Sequence, residues 1–250
     1  MDAREVTERA PAHLEGPADE VGAETLRRMA GLEAYNRWLH DRFDAYLGTR
    51  ILEVGSGIGN QTCYFADRER VIASDIDPFY LKTLEGRFGR QSNVRLASFR
   101  FPLTPADVED LRGERIDTIV CLNVLEHIED HESTLRDFAA VLPAGGHLAL
   151  LVPAMPALYG SLDEALGHYR RYDKEPLRRL LGDCGFVADD LRYVNRLAVF
   201  GWWLSSRVLG AKVLPRDQLA MFRWVMPLLR FEEKHPPSFG LSLLALARRQ

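Results

Sequence analysis

Ile51-Leu52-Glu53-Val54-Gly55-Ser56-Gly57-Ile58-Gly59-Asn60 is a short apolar run that breaks into alternating glycines. The run reads as a buried strand and the glycines as the turn leaving it, because a backbone with positive φ, or one that must touch a ligand, has no room for a Cβ. A second apolar run, Val71-Ile72-Ala73-Ser74, ends in Asp75, twenty positions after Gly55. An acid at that distance sits where a carboxylate receives ribose hydroxyls. Together the two segments imply a nucleotide-like ligand on a strand-to-turn junction.

Working outward, Ile51–Val54, Val71–Ser74, Val94–Ala97, Ile116–Cys121 and His147–Val152 are β-rich runs separated by helix-length intervals. That alternation predicts an α/β fold with a parallel, doubly wound sheet. Helix starts are legible too. Asp130 can cap a helix whose Leu135, Phe138, Ala139 and Leu142 form one apolar stripe, and Asp173 precedes Leu177, Leu180 and Leu181. Phe186–Tyr193 and Phe239–Arg248 supply two further strands. Upstream, apolar residues from Leu26 to Leu47 recur at helical spacing and stop at Gly48, which predicts a helix or helix pair. Residues 1–24, rich in Asp, Glu, Ala and Pro and without the apolar core of a signal peptide, read as a flexible tail, and 25–250 as one domain.

Over forty residues, Asn195 to Pro237, separate the last two strands, more than a hairpin turn needs. This insertion is aromatic and apolar, with Trp202, Trp203 and Trp224 among intermittent arginines. Three readings compete: a helical hairpin closing part of the core, a lid over a hydrophobic acceptor, and a membrane-surface or homodimer contact.

The chain has 250 residues, 46% hydrophobic and 27% charged, enough for one large core. A net charge of -4 argues against a general nucleic-acid binder. Cys63, Cys121 and Cys184 are far apart with no C-x-x-C pair, which fits a reducing cytoplasm. No apolar stretch reaches the roughly 18 to 20 residues that span a bilayer.

Dinucleotide enzymes favour G-x-G-x-x-G, whereas this loop reads G-x-G-x-G. With Glu53 in the preceding strand, Asp75 after the second and Asn123-Val124-Leu125-Glu126-His127 after the fourth, the series resembles class I S-adenosylmethionine-dependent methyltransferases, from about Tyr35 to the C-terminus. The resemblance implies a Rossmann-like, seven-stranded sheet, mostly parallel, with a reversed C-terminal hairpin, a helical insertion before the last strand and S-adenosylmethionine across the carboxyl edge. It further implies that Gly55, Ser56 and Gly57 meet the cofactor carboxylate, that Glu53 orients the loop or the ammonium, that Asp75 takes the ribose hydroxyls and that Ile76 flanks the adenine. The Asn123 backbone carbonyl would face the amino-acid portion, and Val124, Leu125 and His127 would border the methyl-transfer site. Tyr35 would lie over the cofactor, or else pack its helix onto the sheet. Many relatives carry an acid after the third strand; this chain has Ala97-Ser98-Phe99-Arg100, so Ser98 and the Phe99 backbone are the candidates there.

Methyl transfer from a sulfonium needs alignment and, for some acceptors, removal of a proton. An imidazole titrates near neutral pH, and His168 in Gly167-His168-Tyr169-Arg170-Arg171-Tyr172 is the candidate base, with His127 and Tyr169 as further catalytic candidates. Tyr172, Arg170, Arg171 and Trp202 are candidates for holding the acceptor, the arginines through their carboxylate-matching fork. No H-E-x-x-H or clustered Asp/His spacing occurs, so no metal is expected. The resulting expectation is a cytoplasmic methyltransferase for a small-molecule or lipid-like acceptor, of the kind found in specialised metabolism or glycan and lipid modification. The rivals are a cofactor-binding protein without turnover, an S-adenosylmethionine-dependent enzyme that does not methylate, and a membrane-peripheral modifier.

Overall fold

Seven strands form in the order β1 (Arg50–Val54), β2 (Arg70–Ser74), β3 (Val94–Ala97), β4 (Thr118–Leu122), β5 (His147–Pro153), β6 (Phe186–Val194) and β7 (Ser242–Arg249) in a computed structural model that describes residues 16–17, 19–211, 226, 229–232 and 237–250. They make one sheet ordered β3-β2-β1-β4-β5-β7-β6. The first five are parallel, while β7 runs antiparallel between β5 and β6. This is the expected Rossmann-like arrangement with a reversed C-terminal hairpin.

Strands β1, β2, β4 and β5 are buried on both faces, which is why they read as continuous apolar runs, while the edge strands β3 and β6 are only partly buried. On one face Leu52, Ile72, Ile119, Leu148 and Leu150 join a core with Leu111, Phe138, Leu177 and Leu181. Those last four come from helices α5 (Pro105–Gly113), α6 (His131–Val141) and α8 (Lys174–Asp183). On the other face Ile51, Val71, Val120 and Ala149 pack with Trp38, Leu39, Phe43 and Phe65, the last from α3 (Thr62–Phe65); α4 (Pro78–Phe88) follows between β2 and β3. Caps set the helix starts. Asp130 accepts from Ser133 N, and Thr104 forms a capping box with Asp107.

The segment before the sheet is a helix pair, α1 (Glu20–Ala30) and α2 (Glu33–His40). Helix α1 starts inside the segment expected to be a tail, because Asp19 caps it by accepting from Gly22 N at 2.9 Å; residues 1–15 lie outside the described residues. The insertion is helical where it is described: α9 (Ala198–Trp203) runs into a π-helical turn, Leu204–Val208. Val199 and Trp202 pack on Leu158 and Leu162, so part of the insertion closes a small core. Trp224 lies outside the described residues. Among the described residues no helix is long and apolar enough to cross a membrane.

Candidate functional site

Strand register carries the glycine loop and the acid to one place. Val54 pairs with Ser74, so the residues that follow, Gly55 and Asp75, leave the carboxyl edge side by side. Gly55 has φ +71°, and a Cβ there would sit 2.3 Å from Val124 Cγ2. Only glycine lets the loop and the end of β4 approach this closely. Gly57 N donates to Asp75 Oδ2 at 2.9 Å, and Asp77 N to Oδ1 at 3.0 Å. With Ile76 N as a third backbone donor, the carboxylate still has acceptor capacity for a further donor. Burial raises the Asp75 carboxyl above its ordinary range, against the backbone amides of Asp77 and Gly57, which pull it down. One strand back, Glu53 is only 4% exposed and accepts from the Thr62 hydroxyl. Burial pushes it up to about 7, with the Thr62 hydrogen bond acting the other way.

The remaining cofactor candidates divide. Ser56 is buried in the loop, and Ile76 and Ser98 are exposed beyond β2 and β3. The Phe99 side chain is core. Asn123 holds a left-handed φ of +54° at the end of β4, with its N–H bonded to Leu151 O at 2.8 Å. Tyr35 packs on Trp38 at 5.5 Å between ring centroids and lies beside Asn195, and burial pushes its hydroxyl up to about 12. Leu26 of α1, instead, lies over the glycine loop, 3.0 Å from where a Gly57 Cβ would be, and its carbonyl accepts from Asn60. The sequence contained no signal that singled Leu26 out from other apolar positions of that helix.

The second half of the site joins β4 to the loop after β5. After Asn123 a single 3-10 turn, Leu125–His127, carries Glu126 inward and His127 outward. Tyr169 N donates to Glu126 O at 2.9 Å, which places His168 against that turn. Short helix α7 (Ser161–Ala165) supplies Asp163, fully buried. Its Oδ1 accepts from His168 Nδ1 at 3.0 Å and from Arg171 Nε at 2.7 Å, and its Oδ2 from Gly160 N at 3.1 Å. Burial works against the Asp163 charge, but the His168 and Arg171 bonds hold its carboxyl below the usual range. The Asp163 bond takes up one His168 ring nitrogen and leaves Nε2 3.9 Å from Glu126 Oε1. The His127 and His168 rings meet edge to face at 4.7 Å. Although the His127 residue as a whole is exposed, desolvation of its ring, then the nearby His168, lower its pKa.

Three acceptor-binding candidates need correction. Arg171 is buried, spending its guanidinium on Asp163 and on Ala154 O at 2.9 Å. Trp202 is buried beneath that guanidinium, 4.7 Å from ring centre to Cζ. Tyr172 is a core residue whose hydroxyl meets His131 Nδ1 at 3.0 Å. Arg170 braces the 3-10 turn through Ile128 O and Glu129 O. Tyr169 and His127 remain exposed. Sequence spacing shows no metal motif, yet the fold brings donor atoms of Glu126, His127 and His168 within 4.8 Å of one another.

The fold brings a glycine loop and a partly buried acid together where the first two strands end. A family description for a methyltransferase domain matches residues 52–148. A ubiquinone biosynthesis O-methyltransferase of Xanthomonas euvesicatoria is 34% identical over 112 residues, covering 41% of this chain and 42% of that protein. A chain of the complex between the Haloferax volcanii Trm112 methyltransferase activator and a methyltransferase superposes with a TM-score of 0.63 at 15% identity, covering 94% of this chain and 98% of that one. The N-methyltransferase NodS of Bradyrhizobium japonicum, in complex with S-adenosylhomocysteine, superposes with a TM-score of 0.54 at 17% identity, over 92% and 89%. The chain spans at most about half the length of the first curated relatives it matches. Residues 52–148 match a methyltransferase domain, and the chain has the fold of solved methyltransferases.

Proposed function

We propose that this protein transfers the methyl group of S-adenosylmethionine to a small-molecule or lipid-like acceptor. The observation that carries the reading is Asp75, whose carboxylate holds the glycine loop through Gly57 N while keeping acceptor capacity at the carboxyl edge. The fit to the cofactor is chemical. Gly55 and Gly57 present backbone where a Cβ would collide, Asp75 offers a paired acceptor for a diol, and Glu53 stands behind the loop as a second acid. The bound cofactor supplies an activated methyl carbon, so the chain's own task is alignment and proton removal. On this reading Asp75 receives the ribose hydroxyls, the loop amides receive the methionine carboxylate, the Asn123 carbonyl faces the amino-acid end and Val124 borders the methyl-transfer site. The acceptor meets the edge between the 3-10 turn and the His168 loop. There His168, fixed through Nδ1 by Asp163, presents Nε2 as proton acceptor, with His127 and Tyr169 beside it.

A lipid-like acceptor is favoured by one feature. Phe200, Trp203, Leu204, Val208 and Leu209 are exposed on α9 and its continuation, beside the small core that Leu158 and Leu162 form after β5. The three cysteines are all unpaired, in keeping with a cytoplasmic setting. The test is calorimetric titration with S-adenosylmethionine, S-adenosylhomocysteine and NAD, followed by mass spectrometry of candidate acceptors. Saturable adenosyl-ligand binding without NAD binding, and an acceptor heavier by one methylene, are expected. A folded protein that binds NAD alone, or neither ligand, refutes the reading.

A further inference from the structure

We propose that Glu126, His127 and His168 form a binding site for one divalent transition-metal ion. The donor atoms of the three side chains lie within 4.8 Å of one another, and Glu126 Oε1 and His168 Nε2 are 3.9 Å apart. That separation is too long for a hydrogen bond between them, and two donors on a single ion at about 2.0 to 2.2 Å each need only a slight contraction from it.

The strongest observation is Glu126. Its carboxyl is 1% exposed, and apart from its own backbone amide neither oxygen has a hydrogen-bond partner among the described residues. Buried carboxylates are paired, hydrogen-bonded or bound to metal; this one is aimed at two imidazoles. The second observation is the way the imidazoles are held. Asp163 accepts from His168 Nδ1, the arrangement in which a carboxylate fixes the tautomer and turns the other nitrogen toward an ion. Asp163 is itself fixed by Arg171 and Gly160 N, so the support is rigid. The Leu166 carbonyl is the corresponding partner for the His127 ring. Two imidazoles and one carboxylate suit zinc, iron, nickel or manganese better than magnesium, which favours oxygen donors.

Three protein donors leave a fourth position open, as catalytic rather than structural sites do. His127 is exposed, so the open position faces the carboxyl edge. The inference rests on the proposed function in one respect, that the acceptor arrives at this edge; an acceptor oxygen would then be the fourth ligand. His168 Nε2 cannot hold a proton and an ion together, so metal loading exchanges its role as proton acceptor for that of a ligand.

The test uses the untagged full chain, stripped with a chelator and titrated with zinc by calorimetry and with cobalt by visible absorption. One ion per chain is expected, with ligand-field bands of four- or five-coordinate cobalt. Removing an outer partner of a ligand costs roughly 10–100-fold in affinity, so His127→Ala and Glu126→Gln, which remove ligands outright, are expected to lose at least about 100-fold. His127 is exposed, so its variant is expected to keep the wild-type melting curve, which circular dichroism checks. No saturable binding by the folded wild type, or unchanged affinity in both variants, overturns the site. S-adenosylhomocysteine is titrated in parallel on the stripped protein. Cofactor binding without metal binding refutes only this inference, whereas loss of cofactor binding refutes the methyltransferase reading itself.

Discussion

Glu53 makes the stability of this protein depend on pH in a direction unusual for an acid. The side chain is 4% exposed, and burial raises its carboxyl from 4.5 to about 7. Because the folded pKa lies above the unfolded one, the folded state keeps a proton that the unfolded state releases. Stability is therefore intact below the unfolded value, falls as pH rises through the window between the two, and stays lower above it. A shift of about 2.5 units corresponds to about 3 kcal/mol. Roughly 2 to 3 kcal/mol of this develops between about pH 5 and pH 8. Glu53→Gln retains a carbonyl that can accept from Thr62 and has no charge to bury. Urea denaturation of wild type and variant at matched pH isolates Glu53, because every other titrating group is common to both. The variant should gain on the wild type by that amount across the window. A difference that stays flat with pH would show that Glu53 is not held neutral and would refute the account of its burial.

Asp75→Ala should weaken S-adenosylhomocysteine binding by roughly 1.5 to 3 kcal/mol, about 10- to 150-fold, through the loss of charged hydrogen bonds; unchanged calorimetric affinity in a folded variant removes Asp75 from the site. Arg171→Met should destabilise the fold by about 3 to 5 kcal/mol, because it leaves the fully buried Asp163 without its ion-pair partner. A variant of wild-type stability with only a raised KM would return Arg171 to the acceptor site.

The parts of the molecule legible in the sequence are those that local backbone chemistry decides. Gly55 and Asp75 end neighbouring strands, so once Ile51–Val54 and Val71–Ser74 read as parallel strands their junction follows from register alone. The same holds for Asp130, whose capping partner Ser133 is three residues away. Arg170 and Arg171 were harder, because adjacent residues of one irregular segment go to different places: one braces the 3-10 turn, the other enters the core. Nothing in the pair of letters separates them, and nothing in the sequence marks the deciding neighbour, Asp163, as buried.

The polar cluster was hidden for a related reason. Motif spacings for metal ligands describe donors on one helix or one turn, whereas Glu126 and His168 are brought together by a backbone bond, Tyr169 N to Glu126 O, between segments after different strands. Glu126 is 1% exposed, and neither of its carboxyl oxygens meets a side-chain partner among the described residues. Leaving such a group without partners costs about 1 to 3 kcal/mol, a penalty an apolar side chain would avoid. An ion between Glu126, His127 and His168 would give the Glu126 oxygens a partner that no side chain among the described residues provides.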